Sequence, residues 1–178
     1  MSSKTRVYSQ YGAVPFRIKR SGDIEIMLIT SRDTGRWIVP KGWPISKLKP
    51  RQVAAQEAWE EAGLRGKIVG KAPLGHYLYS KAMEDEPPLT CKLTLFALHV
   101  SRQRKSWPEK GQRKTAWFDV TTAAATVREP ELAAIIAGVP RMIESQRPNS
   151  AGKKTDNPAE PIISDVDRPI GKAKPRQR

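Results

Sequence analysis

The chain has 178 residues, 38% hydrophobic and 28% charged, and its 32 Lys and Arg against 18 Asp and Glu give a formal net charge of +14. That size suits one domain with its own core, and no apolar run approaches the roughly 20 residues that span a bilayer, so no membrane partner is expected. Cys91 is the single cysteine, which excludes an internal disulfide and a cysteine-rich zinc site. The N-terminal MSSKTRVYSQYGAVPFRIKR has no apolar stretch of secretory type, so the cytoplasm is the expected compartment. A strongly basic balance suits a polyanion, nucleic acid or polyphosphate alike.

In chain order, YGAVPFRI at 11–18 is mostly apolar and runs into a basic patch, SGD at 21–23 is a turn signal, and IEIMLIT at 24–30 is a strand by its β-branched content. RWIVP at 36–40 is a short strand stopped by proline, and KGWPISKLKP is an irregular loop. A helix is predicted from Pro50, whose fixed φ suits a first turn, to about Ala62, with Gly63 as a left-handed cap. Strands follow at 64–71 and 74–79, then a charged loop at 81–88. The alternating LTCKLTLFALHV at 89–100 is a strand, and 102–114 is a basic loop. AWFDV at 116–120 is a short strand, 121–127 a helical turn, and 129–145 a helix with a proline near its last third. This order predicts an α/β domain over residues 1–146 with helices on both sides of a sheet. Residues 147–178 carry prolines and charges with few large apolar groups, PIISDV at 161–166 excepted, and read as a basic, mostly disordered tail. No glycine-rich dinucleotide fingerprint or lysine-bearing P-loop is present.

The predicted helix 50–62 gathers Glu57, Glu60 and Glu61, at i, i+3 and i+4, opposite an apolar side with Val53, Ala54 and Ala58. Three carboxylates this close repel one another unless cations compensate, and Mg²⁺ takes a few carboxylate oxygens beside its waters. A solvated polar face is the plainer alternative on spacing alone. Basic residues of 102–105 and 110–114 flank Trp107 and Trp117; such a mixture suits a nucleotide with several phosphates, or RNA. Trp37 and Trp117 read as sheet-packing residues, whereas Trp43, in the loop before the acidic helix, is the tryptophan best placed to touch a substrate. His76 and His99 are lone and read as structural, and Cys91 as a buried strand residue.

Residues 42–64 resemble the Nudix hydrolase family. Its box, Gly, five residues, Glu, seven residues, Arg-Glu-apolar-any-Glu-Glu-any-Gly-apolar, falls on Gly42, Glu57, Ala58, Glu60, Glu61, Gly63 and Leu64. RWIVPKG before the loop and WFDV at 117–120 agree with the segments that flank it, so the resemblance covers roughly 8–145. Two positions depart from the pattern: Leu48 stands where the box has glutamate, and Gln56 where it has the arginine that orients the carboxylates. The resemblance implies a Nudix fold, a mixed β-sheet sandwiched between α-helices, and a pyrophosphohydrolase that uses Mg²⁺, with Mn²⁺ as a substitute. It implies metal ligands in Glu57, Glu60, Glu61 and the Gly42 carbonyl, and catalytic roles for the same glutamates, Glu60 as a further ligand or a base. One further carboxylate comes from Glu84, Asp85, Glu86 or Glu109. The two departures imply modest turnover.

Within the family, RWIVPKG and the basic loop before WF are most similar to the diphosphoinositol polyphosphate phosphohydrolase branch. That implies diphosphoinositol or diadenosine polyphosphates as small-molecule substrates, met by Lys41, Trp43, Lys92, Arg113 and Lys114; the branch's basic residues on the first strand are replaced here by Tyr8 and Gln10. The alternatives are an RNA 5′-pyrophosphohydrolase, a hydrolase of ADP-ribose or nucleoside triphosphates, and a catalytically weak module that binds polyphosphate or RNA. Oligomeric state is left open.

Overall fold

The structure, a computed structural model, describes residues 6–83 and 87–146. The tail expected at 147–178, with PIISDV, lies outside the described residues, as do Glu84, Asp85 and Glu86.

Among the described residues eight strands form one mixed sheet: β1 (Val7–Ile18), β2 (Ile24–Thr30), β3 (Trp37–Ile38), β4 (Lys41–Gly42), β5 (Leu64–Val69), β6 (Gly75–Lys81), β7 (Leu89–Gln103) and β8 (Thr115–Asp119). The central pair is parallel, β1 against β7, from Val7 opposite Thr90 to Phe16 opposite His99. On its other edge β1 forks. Tyr11 and Gly12 pair with β4, and Phe16 to Ile18 pair with β2. β2 also carries β3 and β8, and the far edge of β7 carries β6 along one half and β5 along the other.

Among the described residues four helices cover the two faces. α1 (Pro50–Ala62) lies on one; α2 (Val120–Thr126), α3 (Pro130–Ala137) and α4 (Val139–Ser145) lie on the other. Each face has its own core. Ala54, Ala58 and Ala62 of α1 pack on Ala13, Met27, Ile29, Phe96 and Leu98, and Leu132 and Ile136 of α3 pack on Val14, Leu28, Leu93 and Leu95. Odd and even residues of β1, β2 and β7 therefore go to opposite cores, as the two-residue period of a strand requires. The expected architecture, a mixed sheet between layers of helices, is the one observed.

The helix 50–62 has its expected bounds, with Pro50 in its first turn and Gly63 at φ 70 as a left-handed cap. Several elements differ from expectation, among them β1, a 12-residue strand where only a mostly apolar stretch is expected at 11–18. The loop at 41–49 opens with a two-residue strand, β4, because Pro40 accepts from the Ala13 amide at 3.0 Å and docks the chain on β1. The single helix expected at 129–145 is two helices that meet at Gly138, with Pro140 in the first turn of α4; proline has no amide to give to a continuous helix. No helix of the described residues is long and apolar enough to cross a membrane.

Candidate active site

The acidic side of α1 faces β4 and the loop after β7. It forms one wall of a cleft of about 390 Å³, where Glu57, Glu60 and Glu61 meet Gly42, Glu109 and Arg113. The three helix glutamates share the cleft but have different surroundings. Glu57 lies against Gly42 so closely that a Cβ at Gly42 would overlap its carboxylate. Burial, and then the charges of Glu61, Glu60 and Glu109, push the Glu57 carboxyl up to about 7. Glu60 accepts from Gln56 Nε2 at 2.5 Å. Glu61 is buried, 6% exposed, and both its oxygens are engaged: one accepts from the Lys41 amide at 3.0 Å, the other from Arg113 Nη2. Burial pushes the Glu61 carboxyl up, against the pull of Arg113, of the Lys41 amide and of the Lys41 charge.

Arg113 is bound on three sides. Its Nε donates to Glu109 Oε2 at 3.1 Å, Nη1 to the Thr30 carbonyl at 3.1 Å, and Nη2 to Glu61. The arginine expected to meet substrate thus holds two carboxylates in place, which is the work the box gives to the position occupied here by Gln56. Sequence spacing could not show this, because Arg113 and Glu61 are 52 residues apart. Glu109 is the one carboxylate among those proposed outside the box that the described residues bring to the cleft. The loop 104–114 reaches the site by gripping the end of α1. Trp107 covers Gly63, so that a Cβ there would overlap the indole, and the Glu109 amide donates to the Glu60 carbonyl at 3.0 Å.

Of the other residues expected to touch substrate, Lys41 and Trp43 line the cleft. Trp43 is 39% exposed and meets Tyr8 edge to face at 6.4 Å between centroids. Burial lowers the pKa of Lys41, with Glu61 opposing and Lys81 adding to the shift. Lys92 and Lys114 are exposed and are not on the cleft wall; the Lys114 carbonyl accepts from the Thr30 amide and the Lys114 amide donates to the Thr30 hydroxyl. Leu48 is likewise exposed. Lys81, at the end of β6, lines the cleft without having been anticipated, since a lone lysine at a strand end has no motif to mark it. His99 stacks on Phe16 at 5.0 Å, and Cys91 is buried. A larger cleft of about 590 Å³ lies between Val69–Leu74 and α3–α4, but its lining brings no group of carboxylates together.

Among the described residues no three Asp, Glu, His or Cys side chains already converge closely enough to hold a metal ion. The donor set nevertheless fits a hard divalent cation. It offers carboxylate oxygens from neighbouring turns, with Gly42 against Glu57, and a crowd of negative charge that a cation would relieve.

No family model matches the chain. It is 33% identical over 131 residues to Nudix hydrolase 16, mitochondrial, of Arabidopsis thaliana, across 67% of this chain and 72% of the relative. It is 29% identical over 129 residues to diphosphoinositol polyphosphate phosphohydrolase 3-alpha of Mus musculus, across 68% of this chain and 73% of that relative. Its fold matches an Ap4A hydrolase of C. elegans with a TM-score of 0.57 at 20% identity, covering 78% of this chain and 98% of that structure. The chain belongs to the Nudix hydrolase family. Hydrolysis of phosphoanhydride bonds, with Mg²⁺ as the usual cofactor, is the family-level activity that this relationship supports.

Proposed function

We propose that the protein hydrolyses phosphoanhydride bonds in small-molecule polyphosphates, with diadenosine polyphosphates and diphosphoinositol polyphosphates as the substrate classes. One observation carries this reading: Glu57, Glu60, Glu61 and Glu109 line the same cleft as Lys41, Lys81 and Trp43. The carboxylates suit a cation and the lysines suit phosphates, so both halves of a metal–polyphosphate complex find complementary charge. The similarity to a diphosphoinositol polyphosphate phosphohydrolase points the same way.

Glu57, Glu60 and Glu61, with the Gly42 carbonyl and Glu109, would hold Mg²⁺. When bound, Mg²⁺ neutralises phosphate charge and makes a water more acidic. Glu61 is fixed by Arg113 and the Lys41 amide, so its carboxylate is positioned before substrate arrives. Glu60, steadied by Gln56, is the residue we assign to take the proton of the attacking water. Lys41 and Lys81 meet phosphate oxygens, and the exposed Trp43 ring borders the entrance. Two of the tryptophans that gave the sequence its RNA-binding look are engaged within the protein: Trp107 covers Gly63, and Trp117 lies under Arg17 at 4.2 Å.

A substrate panel in Mg²⁺ tests the reading. Diadenosine tetraphosphate to hexaphosphate and diphosphoinositol polyphosphates are expected to exceed ADP-ribose and NADH in kcat/KM. A preference of more than about tenfold, or 1.4 kcal/mol, for ADP-ribose or a nucleoside triphosphate would overturn the substrate class. A preference for triphosphorylated RNA would do the same.

A further inference from the structure

Most of the basic run at the end of β7 is left over by the cleft. Arg102, Arg104, Lys105 and Lys110 are exposed, as is Arg65 on β5, and none of the five lines the carboxylate cleft. None of them forms an ion pair among the described residues. The fold gathers them at the C-terminal end of α1. Arg65 stands directly opposite Arg102 in the β5–β7 ladder, the Arg104 amide donates to the Gly63 carbonyl at 2.9 Å, and Lys110 Nζ donates to the Lys105 carbonyl. Like charges directly opposite across a ladder are destabilising, and neither 64–72 nor 100–108 contains an acidic residue to offset them. Two of the cations lie over indoles: Arg65 over Trp59, at 4.0 Å from the ring centroid, and Lys110 over Trp107, at 5.4 Å.

We propose that this corner docks single-stranded nucleic acid, as a partner and apart from the hydrolytic cleft. Arg102, Arg104, Lys105 and Lys110 meet backbone phosphates, which suit guanidinium forks and ammonium groups. Arg65, laid on Trp59, offers the outer plane of its guanidinium to an unpaired base, and such planes are what splayed bases stack on. An acidic peptide has the charge for this corner but nothing to lay on that plane. A bilayer favours exposed large apolar side chains, and neither 64–72 nor 100–110 supplies one.

Fluorescence anisotropy of a labelled oligo(U) about 15 nucleotides long, titrated with the full chain in EDTA, tests the corner. A 5′-hydroxyl oligonucleotide carries no phosphoanhydride, so its binding is not that of a substrate. Affinity should fall steeply between about 50 and 200 mM salt. Arg102→Gln with Arg104→Gln should weaken binding roughly tenfold at low salt and flatten the log–log salt slope by about 1.4, or about 0.7 for each phosphate contact on a single strand. Arg65→Lys keeps the charge and removes the plane; it should weaken binding about fivefold and leave the slope unchanged. Arg128→Gln with Arg141→Gln makes the same charge change on the opposite face of the sheet and should alter affinity by less than about twofold. All these side chains are exposed, so the variants keep the fold. Oligo(dT) of the same length tells DNA from RNA as the occupant. No binding by the wild-type chain, equal losses in the two double variants, or wild-type affinity in Arg65→Lys would overturn the proposal. Tighter binding of polyglutamate, lost in the same variants, would also overturn it and assign the corner to an acidic protein.

Discussion

Glu57, Glu60 and Glu61 lie within two turns of one helix, yet one is unclasped, one is held by a glutamine and one is buried under an arginine. Their order along the chain sets which side of α1 they occupy; their partners come from far away and set what each can do. The role of Gly42 was visible as a box glycine, and the structure gives its physical reason, since only a residue without a side chain leaves room for the Glu57 carboxylate. Gly42→Ala should therefore push the flexible end of Glu57 aside without disturbing the backbone. Turnover is expected to fall about a hundredfold, the scale of misplacing a catalytic group by about 1 Å, while the melting temperature stays within a few degrees. Unchanged turnover in kinetic assays would show that Glu57 does not need this seat. The work of Arg113 was not visible, because a basic residue in a basic loop reads as a substrate contact until its three partners are known.

At the scale of elements, α1 is held to the sheet by small residues. Ala54, Ala58 and Ala62 let it approach β1 closely, and their alternation with glutamates hardly reads as an amphipathic stripe. Its end is fixed twice, by the left-handed Gly63 and by Trp107 laid over it, so the loop 104–114 is a structural arm of the site as well as a basic surface. On the opposite face α2 begins at Asp119, whose carboxylate accepts from the Thr122 amide at 2.9 Å. The Thr122 hydroxyl and amide hold the Asp119 carboxyl below its usual value of 3.8. A group whose folded pKa is depressed contributes stability above its unfolded pKa and loses it as pH falls through the folded one. Asp119→Ala should therefore melt below the wild type at pH 7, and the gap should close as the pH drops below about 4. A gap that stays constant from pH 7 to pH 2.5 in calorimetric scans would mean that the charge of the cap contributes nothing. The bounds of α1 and its cap were legible from proline and glycine. The break at Gly138 was not, since the proline alone marks a disturbance without showing whether the helix kinks or restarts.

For the molecule as a whole, the parallel pairing of β1 with β7 brings the start of the chain beside its second half, and with it Gln10 into the cleft of the acidic helix. Such long-range pairing has no local sequence mark, which is why Lys92 was expected at a cleft it does not line and Lys81 was overlooked. The box was legible because its residues are close along the chain. The lysines of the cleft were only partly so, because they come from strands far apart in sequence. A formal net charge of +14 draws polyanions to the surface, yet the carboxylates must do the chemistry for this to be a hydrolase. The most direct measurement is the rate of diadenosine tetraphosphate hydrolysis in Mg²⁺ by the wild-type chain and by Glu57→Gln, with both shown to be folded. The expected result is turnover by the wild type that EDTA abolishes, and a rate at least about a hundredfold lower in the variant. Equal rates in the two proteins, or wild-type turnover indifferent to EDTA, would contradict the assignment of this wall as the hydrolytic centre.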